Sequence, residues 1–119
     1  MAKRIFIIDD DESSRLLYRL NFKSVPEIQI VGEFDTGEDA LPQIPLLRPD
    51  VVIVDYGLPG MSGIEFIKQL GGYPGIKIML VTGHDLHFLK SSLPHSSNLE
   101  ILQKSWSDED LAHIISRCR

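Results

Sequence analysis

Five polar side chains stand just after short apolar runs of the chain, and their types suit one kind of chemistry. They are Asp9, Asp10, Asp55, Thr82 and Lys104. Three carboxylates brought close together repel one another and retain protons unless a cation joins them. Mg²⁺ suits such a set because it prefers oxygen ligands and keeps several of its waters. One carboxylate is then free to attack phosphorus, while a hydroxyl and an ammonium group bind the transferred oxygens.

Segments typical of strands alternate along the chain with segments typical of helices. The predicted strands cover residues 5–8, 28–31, 51–54, 76–81 and 99–102. The predicted helices cover residues 13–23, 37–47 and 64–70, the segment between Asp85 and Pro94, and the segment after Ser107. This alternation predicts a doubly wound α/β domain of three layers, with a parallel sheet between helices. The carboxyl ends of parallel strands share one edge, where the five polar side chains would meet.

The first two predicted helices carry specific expectations about packing. Leu16, Leu17 and Leu20 recur at helical spacing, so we expect them on one face of the first helix. Pro42 and Pro45 interrupt the second helical pattern. Interior prolines remove amide donors and clash with the preceding turn, so this helix should be short, kinked or partly irregular.

The composition limits the class and the surroundings of the protein. Its 119 residues fit one domain, and its formal net charge of −5 argues against general nucleic-acid binding. No apolar run approaches the roughly 18 residues of a membrane span, and the run at 5–8 is shorter than a signal peptide needs. Cys118 is the only cysteine, which excludes an internal disulfide and suits a reducing compartment. We therefore predict a cytoplasmic protein that binds neither membranes nor nucleic acid directly.

Several stretches of the sequence resemble the receiver domains of two-component response regulators. They are IFIIDD at 5–10, PDVVIVDYGLPGMSG at 49–63, IMLVTG at 78–83, and Lys104. VGE at 31–33 and RPD at 48–50 are similar to receivers that precede helix-turn-helix output domains. The resemblance implies one receiver domain over 1–119, with the flavodoxin-like strand order 2-1-3-4-5. Its output, in transcription regulation, would lie in a partner or in a domain outside this chain.

The resemblance also implies where the phosphoryl group and the metal would bind. Asp55 would accept the phosphoryl group from the phosphohistidine of a sensor histidine kinase or a phosphotransfer protein. Asp10, Asp55 and the backbone carbonyl of Gly57 would ligate Mg²⁺. Asp9 would act mostly through metal-bound water.

Two further side chains would recognise the phosphoryl group itself. By the same resemblance, Thr82 would swing toward its oxygens and Lys104 would pair with them, while the small Gly83 keeps access open. Phosphorylation adds about −1.5 to −2 charges, enough to switch the output face of a domain. The domain would catalyse only its own phosphorylation and dephosphorylation, so it is not expected to be an enzyme. A second copy of the chain is a candidate partner.

Two residues near the predicted site depart from the family pattern. Ile101 replaces the Phe or Tyr that usually changes rotamer on activation, so the coupling to the output face would differ. Ser105 replaces the proline that usually follows the lysine in a cis peptide. A non-proline cis bond costs about 2.5–4 kcal/mol, so we expect a trans Lys104–Ser105 bond, which would displace Lys104.

A few other residues have a structural and a functional interpretation. Asp11 is expected to be a first-turn acid of the first helix, where the helix dipole favours it. His84 and His87 are expected to be solvated, because a zinc site would need two more ligands. Trp106 is either a packing residue or an exposed contact for a partner, and the two interpretations have equal weight.

Two alternative functions use the same residues differently. A small phosphohydrolase of the haloacid-dehalogenase type would use Asp9 as nucleophile and Asp11 as acid, but it leaves the motif at 55–63 unexplained. An interaction module with the receiver fold would work without phosphorylation, and Ile101 and Ser105 motivate that alternative. Whether Asp9 or Asp55 traps a phosphoryl group separates the first alternative from the receiver.

Overall fold

A single parallel sheet forms the centre of the computed structural model, which describes residues 2–73, 75–83, 91 and 98–119. Its strand order is β2-β1-β3-β4-β5, as predicted. The strands are β1 (Lys3–Ile8), β2 (Ile28–Phe34), β3 (Val51–Asp55), β4 (Lys77–Thr82) and β5 (Leu99–Gln103). The flavodoxin-like α/β class is therefore confirmed.

Helical segments connect the strands and cover both faces of the sheet. They are α1 (Glu12–Phe22), α2 (Gly37–Ala40), α3 (Ile44–Leu47), α4 (Gly63–Gln69) and α5 (Asp108–Cys118), with 3₁₀ turns at Leu41–Gln43 and Leu70–Gly72. The helix predicted between Asp85 and Pro94, and the histidines His84 and His87, lie outside the described residues. In the described ranges, no helix has the length and apolarity that a membrane span requires.

The hydrophobic core consists of two clusters, one on each face of the sheet. Along β1, Phe6 and Ile8 belong to the cluster under α2, α3 and α4, whereas Ile5 and Ile7 belong to the cluster under α1 and α5. All four side chains are fully buried. Strands that are buried on both faces read as continuous apolar runs, which explains why the sequence shows no alternation here.

The leucine face of α1 is not the face that packs on the sheet. Leu16 and Leu20 are 45% and 59% exposed, so this face is turned toward solvent. The buried residues are Ser14, Tyr18 and Phe22, which are spaced four apart on another face of the helix. Two aromatic rings bury more area than leucines do, and the Ser14 hydroxyl donates to Asp11 Oδ2 at 3.0 Å, which satisfies it inside the fold.

The second helical segment is broken, as its prolines predict. It consists of α2, a 3₁₀ turn that contains Pro42, and α3 with Pro45 near its start. The side chain of Thr36 caps α2 by accepting the N–H of Asp39 at 3.1 Å. The segment ends at Arg48, whose φ of 50° lies in the left-handed region. The chain then turns into β3.

Strand β2 continues three residues beyond its predicted end. Gly32 suggests a strand end, yet the strand passes through it to Phe34, with a shift of register opposite Ile5 and Phe6. A Cβ atom on Gly32 would lie 2.8 Å from Cε2 of Phe34, so close ring packing explains the glycine. The extension matters for the site because the Phe34 carbonyl accepts the N–H of Asp9 at 3.0 Å.

Candidate functional site at the carboxyl edge of the sheet

Three aspartates converge where β1 and β3 end. Asp9, Asp10 and Asp55 each offer one carboxylate oxygen, and these oxygens lie within 4.8 Å of one another. Their exposure differs: Asp9 is 1% exposed, the Asp55 side chain is 13% exposed, and Asp10 faces solvent. The predicted cluster is therefore assembled, with one deep, one intermediate and one outer carboxylate.

Asp9 is fixed in place by three hydrogen bonds around it. Its N–H donates to the Phe34 carbonyl, and its Oδ1 accepts the N–H of Asp11 at 2.9 Å. Nη1 of Arg15 donates to the Asp9 carbonyl oxygen at 2.5 Å. Arg15 also pairs with Asp35 at 3.0 Å, which ties α1 to the loop after β2. This deep carboxylate is preorganised by backbone and helix contacts.

Asp11 has a different structural role from the predicted one. It is the N-cap of α1 rather than a residue of its first turn, and its Oδ1 accepts the N–H of Ser13 at 3.0 Å. The hydrogen bond from Ser14 and that from Ser13 lower the pKa of Asp11. Its carboxylate is engaged in capping, so it is not poised as a proton donor.

Lys104 extends from the loop after β5 into the acid cluster. Its Nζ lies 2.8 Å from Asp9 Oδ2 and 3.3 Å from Asp55 Oδ2. The Asp9 Oδ2 atom is buried and accepts no hydrogen bond of good geometry, although the ammonium charge lies beside it. The ammonium group of Lys104 is therefore the charge that compensates this buried oxygen.

The charges of this cluster shift the pKa values of its members in physically distinct ways. Burial raises the pKa of Asp9, and the contacts with Lys104 and the Asp11 N–H oppose that rise without cancelling it. Burial alone lowers the pKa of Lys104, but the carboxylates of Asp9 and Asp55 more than offset it and raise that pKa. The ammonium group is therefore charged at neutral pH and holds the two acids together.

The donor chemistry of the cluster fits a hard divalent cation. Carboxylate oxygens are its only side-chain donors, and the buried oxygen of Asp9 lacks an aligned partner. Mg²⁺ accepts one or two carboxylates and retains waters, which matches a cluster with one solvent-facing member. Gly57 lies in the exposed turn after β3, with no heavy atom within 4 Å of the place where a Cβ would be.

Residues at or just after the ends of β4 and β5 form the rest of the site at the carboxyl edge of the sheet. Thr82 is fully buried at the end of β4, and its carbonyl accepts the Lys104 N–H at 2.7 Å. The N–H of Tyr56 donates to the Val81 carbonyl at 3.0 Å, which holds the turn after Asp55 beside β4. Among the described residues, no heavy atom lies within 4 Å of the place where a Cβ on Gly83 would be.

A pair of aromatic residues behind the site was not predicted from the sequence. The rings of Tyr18 and Trp106 pack edge to face, with centroids 5.0 Å apart and planes at 71°. Trp106 therefore packs against the core and is partly buried, which supports the packing interpretation. The Tyr18 hydroxyl is buried and has no hydrogen-bond partner among the described residues, and burial raises its pKa, as do the charges of Asp9 and Asp55. The signal in the sequence was the aromatic pair Tyr18 and Phe22 at helical spacing.

The departures near Lys104 do not remove it from the site. None of the described peptide bonds is cis, so the Lys104–Ser105 bond is trans, as expected. The expected displacement of Lys104 does not occur, because its Nζ contacts both Asp9 and Asp55. Ile101 is partly buried and packs against the cluster under α2, α3 and α4.

Comparisons with known proteins agree with this geometry. A sequence profile described as the response regulator receiver domain matches residues 5–116. Protein-glutamate methylesterase/protein-glutamine glutaminase 1 from Carboxydothermus hydrogenoformans is 34% identical over 80% of this chain and 28% of its own length. Response regulator GacA from Pseudomonas viridiflava is 34% identical over 66% of this chain and 37% of its own length. The chain thus spans well under half the length of either relative.

Solved structures show the same fold. The isolated REC domain of RcsB from Salmonella enterica serovar Typhimurium, determined in the presence of phosphomimetic BeF3⁻, superposes with a TM-score of 0.83. The match covers 98% of this chain and 87% of that one at 24% identity, so it establishes the architecture alone. The sequence profile carries the family assignment, because it covers nearly every element of the sheet and its flanking helices. The chain belongs to the response regulator receiver domain family.

Proposed function

We propose that this receiver domain accepts a phosphoryl group on Asp55 and that the modified edge of the sheet is its signal. The observation that carries the proposal is the position of Lys104, whose ammonium group lies between the carboxylates of Asp9 and Asp55. Of these two acids, Asp55 is the more exposed, so a donor reaches it more readily. Asp9 is too deeply buried to be the nucleophile.

The transfer step follows from the arrangement of the chain's own groups. An Asp55 oxygen attacks phosphorus, the bond from phosphorus to the donor's imidazole nitrogen breaks, and its electron pair stays on the imidazole, which takes up a proton. The ammonium group of Lys104 pairs with the Asp55 carboxylate before transfer and is near enough to pair with the new phosphoryl oxygens after it. Thr82 at the end of β4 would supply its hydroxyl to another of these oxygens. Positioning and charge neutralisation are most of what phosphoryl transfer requires.

Mg²⁺ would bind to the outer part of the acid cluster. Asp10, Asp55 and the Gly57 carbonyl are the candidate ligands, with Asp9 acting through a bound water. The bound ion would neutralise charge on the transferring group. The residues themselves provide the preorganisation, because Asp9 is hydrogen-bonded to Asp11 and ion-paired to Lys104.

The proposed partner is a phosphohistidine protein, a sensor kinase or a phosphotransfer protein, in the cytoplasm. Two exposed leucines of α1, Leu16 and Leu20, lie on the helix that begins beside Asp10. An exposed apolar pair on the helix that follows the acid cluster is a suitable contact for such a donor. The single domain over 1–119 would act on an output domain or a partner, and a second copy of the chain is a candidate for that partner.

The two alternative functions are less well supported. A phosphohydrolase would need Asp9 as nucleophile and Asp11 as acid, but Asp9 is buried in an ion pair and Asp11 caps α1. A module independent of phosphorylation would have no need to bring three carboxylates and Lys104 together. Phosphorylation of Asp55 explains why the three carboxylates and Lys104 lie together, and it needs fewer assumptions than either alternative.

Intact-mass measurement after incubation with acetyl phosphate and Mg²⁺ tests the proposal. We expect one added phosphoryl group, mapped by reductive labelling to Asp55, and none in Asp55→Asn. Asp50→Asn, which alters an acid at the opposite end of β3, serves as the matched control and should still be modified. Label on Asp9, or modification that persists in Asp55→Asn, would overturn the proposal.

A further inference from the structure

The loop that carries Lys104 is short, and both of its ends are anchored. On one side, the Lys104 N–H donates to the Thr82 carbonyl at 2.7 Å. On the other side, Ser107 begins α5 by accepting the N–H of Asp110 at 3.2 Å. Only Ser105 and Trp106 separate the two anchors. The direction in which the Lys104 side chain points therefore depends on the contacts of Ser105 and Trp106.

Trp106 is the side-chain anchor of this loop. Its ring is partly buried in the cluster under α1 and α5 and meets the Tyr18 ring edge to face at 5.0 Å. Tyr18 is 1% exposed and is itself held by Phe22, whose ring centroid lies 5.7 Å away at 61°. Ser105 adds a weaker constraint, because its Oγ accepts the N–H of Ser107 at 3.2 Å. The loop thus rests on α1 through one aromatic contact.

We infer that Tyr18 and Trp106 are positioning residues for Lys104, whose edge-to-face contact holds the lysine loop so that its ammonium group lies between Asp9 and Asp55. The residue after the lysine is Ser105, which lacks the fixed φ of a proline, so the stiffness of the loop has to come from its contacts. This inference rests on the proposed phosphorylation of Asp55.

The chemistry of the pair supports a packing role rather than a polar one. Within the part of the chain that the structure describes, the Tyr18 hydroxyl has no hydrogen-bond partner, and its ring makes the contact with Trp106. Edge-to-face pairs have a preferred geometry, so they fix direction as well as distance. A loosened loop would let the ammonium group move off the line between the two carboxylates, and small misplacements of a reacting group slow a reaction strongly.

The test compares initial rates of phosphorylation by acetyl phosphate and Mg²⁺. Trp106→Ala and Tyr18→Leu are each expected to lower the rate about 10-fold. Trp106→Phe and Tyr18→Phe keep a ring at each position and should restore the rate to within about two-fold of the unmodified chain. Ile28→Ala, in the same cluster at the start of β2, controls for loss of stability alone and should not change the rate.

A double-mutant cycle separates positioning from a purely structural role. If Trp106 acts through Lys104, then Trp106→Ala should have no further effect on the rate in the Lys104→Ala background. Equal rates for Trp106→Ala and the unmodified chain, or full additivity with Lys104→Ala, would overturn the inference while leaving the phosphorylation of Asp55 intact. Failure of the unmodified chain to take up a phosphoryl group would overturn the proposed function, and this inference with it.

Discussion

Lys104 is the residue on which the proposed chemistry of the site depends. It is the only described cation paired with the acid cluster, and its two contacts differ in length, 2.8 Å to Asp9 and 3.3 Å to Asp55. The longer contact is to the proposed nucleophile. Because the contact with Asp55 is the looser of the two, the ammonium group can leave the Asp55 carboxylate and pair with the oxygens of a phosphoryl group bound there, while Asp9 still holds it.

Replacement of Lys104 should separate metal binding from phosphoryl transfer. We expect Lys104→Ala to lower the rate of phosphorylation by acetyl phosphate about 100-fold, because one preorganised cation at the developing charge is lost. Mg²⁺ affinity should stay the same or rise, since a competing positive charge leaves the cluster.

Rates are followed by intact mass and metal binding by calorimetry. Lys68→Ala, an exposed lysine of α4, is the control. An unchanged rate in Lys104→Ala would contradict the assigned role.

Most residues of this site could be predicted, and one group could not. The aspartates, Thr82 and Lys104 follow predicted strands, and parallel strands bring their carboxyl ends to one edge whatever the side chains between them do. Tyr18 and Trp106 come from elements 88 positions apart in the chain (106 − 18), and their contact depends on how α1 rests on the sheet. Periodicity within one helix carries no information about such a contact.

At the scale of whole elements, α1 has two apolar faces with different roles. Tyr18 and Phe22 pack into the core, whereas Leu16 and Leu20 stay exposed. The leucine spacing alone did not show which face is buried, because both stripes have helical periodicity and the larger aromatic area decides it. The helix is therefore both a support for the sheet and a candidate contact for the phosphodonor.

The exposed face of α1 can be tested with two kinds of donor. Leu16→Ser and Leu20→Ser should change the free energy of unfolding by less than about 0.5 kcal/mol, because both side chains are largely exposed. Phosphorylation by acetyl phosphate should be unchanged, while transfer from a phosphohistidine protein should slow about 10-fold or more. Leu46→Ser on α3, where the leucine is 71% exposed, is the matched control. Equal slowing by the α3 variant would rule out a specific contact at α1.

A charge network joins β4, β5 and α5 on the side of the molecule away from α2. Glu100 of β5 lies 3.0 Å from Lys77 Nζ and accepts from Arg117 Nε at 2.7 Å. The Arg117 hydrogen bond, with smaller contributions from Lys77, lowers the pKa of Glu100 from 4.5 to about 2. Because the folded-state pKa is the lower one, this stabilisation is present above about pH 4.5 and is lost as the pH falls toward 2.

Removal of that charge should weaken the dependence of folding stability on pH. We expect Glu100→Gln to lower the free energy of unfolding at pH 7 by about 1 kcal/mol and to flatten its decline between pH 4.5 and 2. Urea unfolding at several pH values measures both effects. Glu27→Gln, which breaks the more exposed pair with Arg119, should have a smaller effect. If both variants respond to pH alike, the network is no stronger than an ordinary surface pair.

On the scale of the whole molecule, the acidic net charge is partly concentrated at one edge. Three of the 17 acidic residues lie in the cluster, where Lys104 offsets one of them. The alternation of strands and helices was enough to predict a doubly wound parallel sheet, because crossovers between parallel strands are restricted to one hand, whereas the order of the strands came from the family resemblance. The strand β2 passes through Gly32 and ends two residues later, because the glycine allows the Phe34 ring to pack closely.

Binding of Mg²⁺ and a phosphoryl analogue at the carboxyl edge of the sheet should stabilise the folded state of the whole domain. With Mg²⁺ and BeF3⁻, which stands in for a phosphoryl group on Asp55, stability should rise by about 2.7 kcal/mol at 100 times the dissociation constant. For a domain of this size that corresponds to a rise in Tm of about 10 °C. Asp55→Asn should lose the effect of BeF3⁻. A Tm that BeF3⁻ leaves unchanged in the presence of Mg²⁺ would contradict binding at Asp55.

The two hydrophobic clusters have a consequence for how the sequence is free to vary. The sheet separates them, so side chains above it and below it have few common neighbours. Energetic effects of substitutions at sites without shared partners usually add. The layer of α1 and α5 and the layer of α2, α3 and α4 are therefore free to diverge independently in related chains, provided that the strand residues between them keep their sizes.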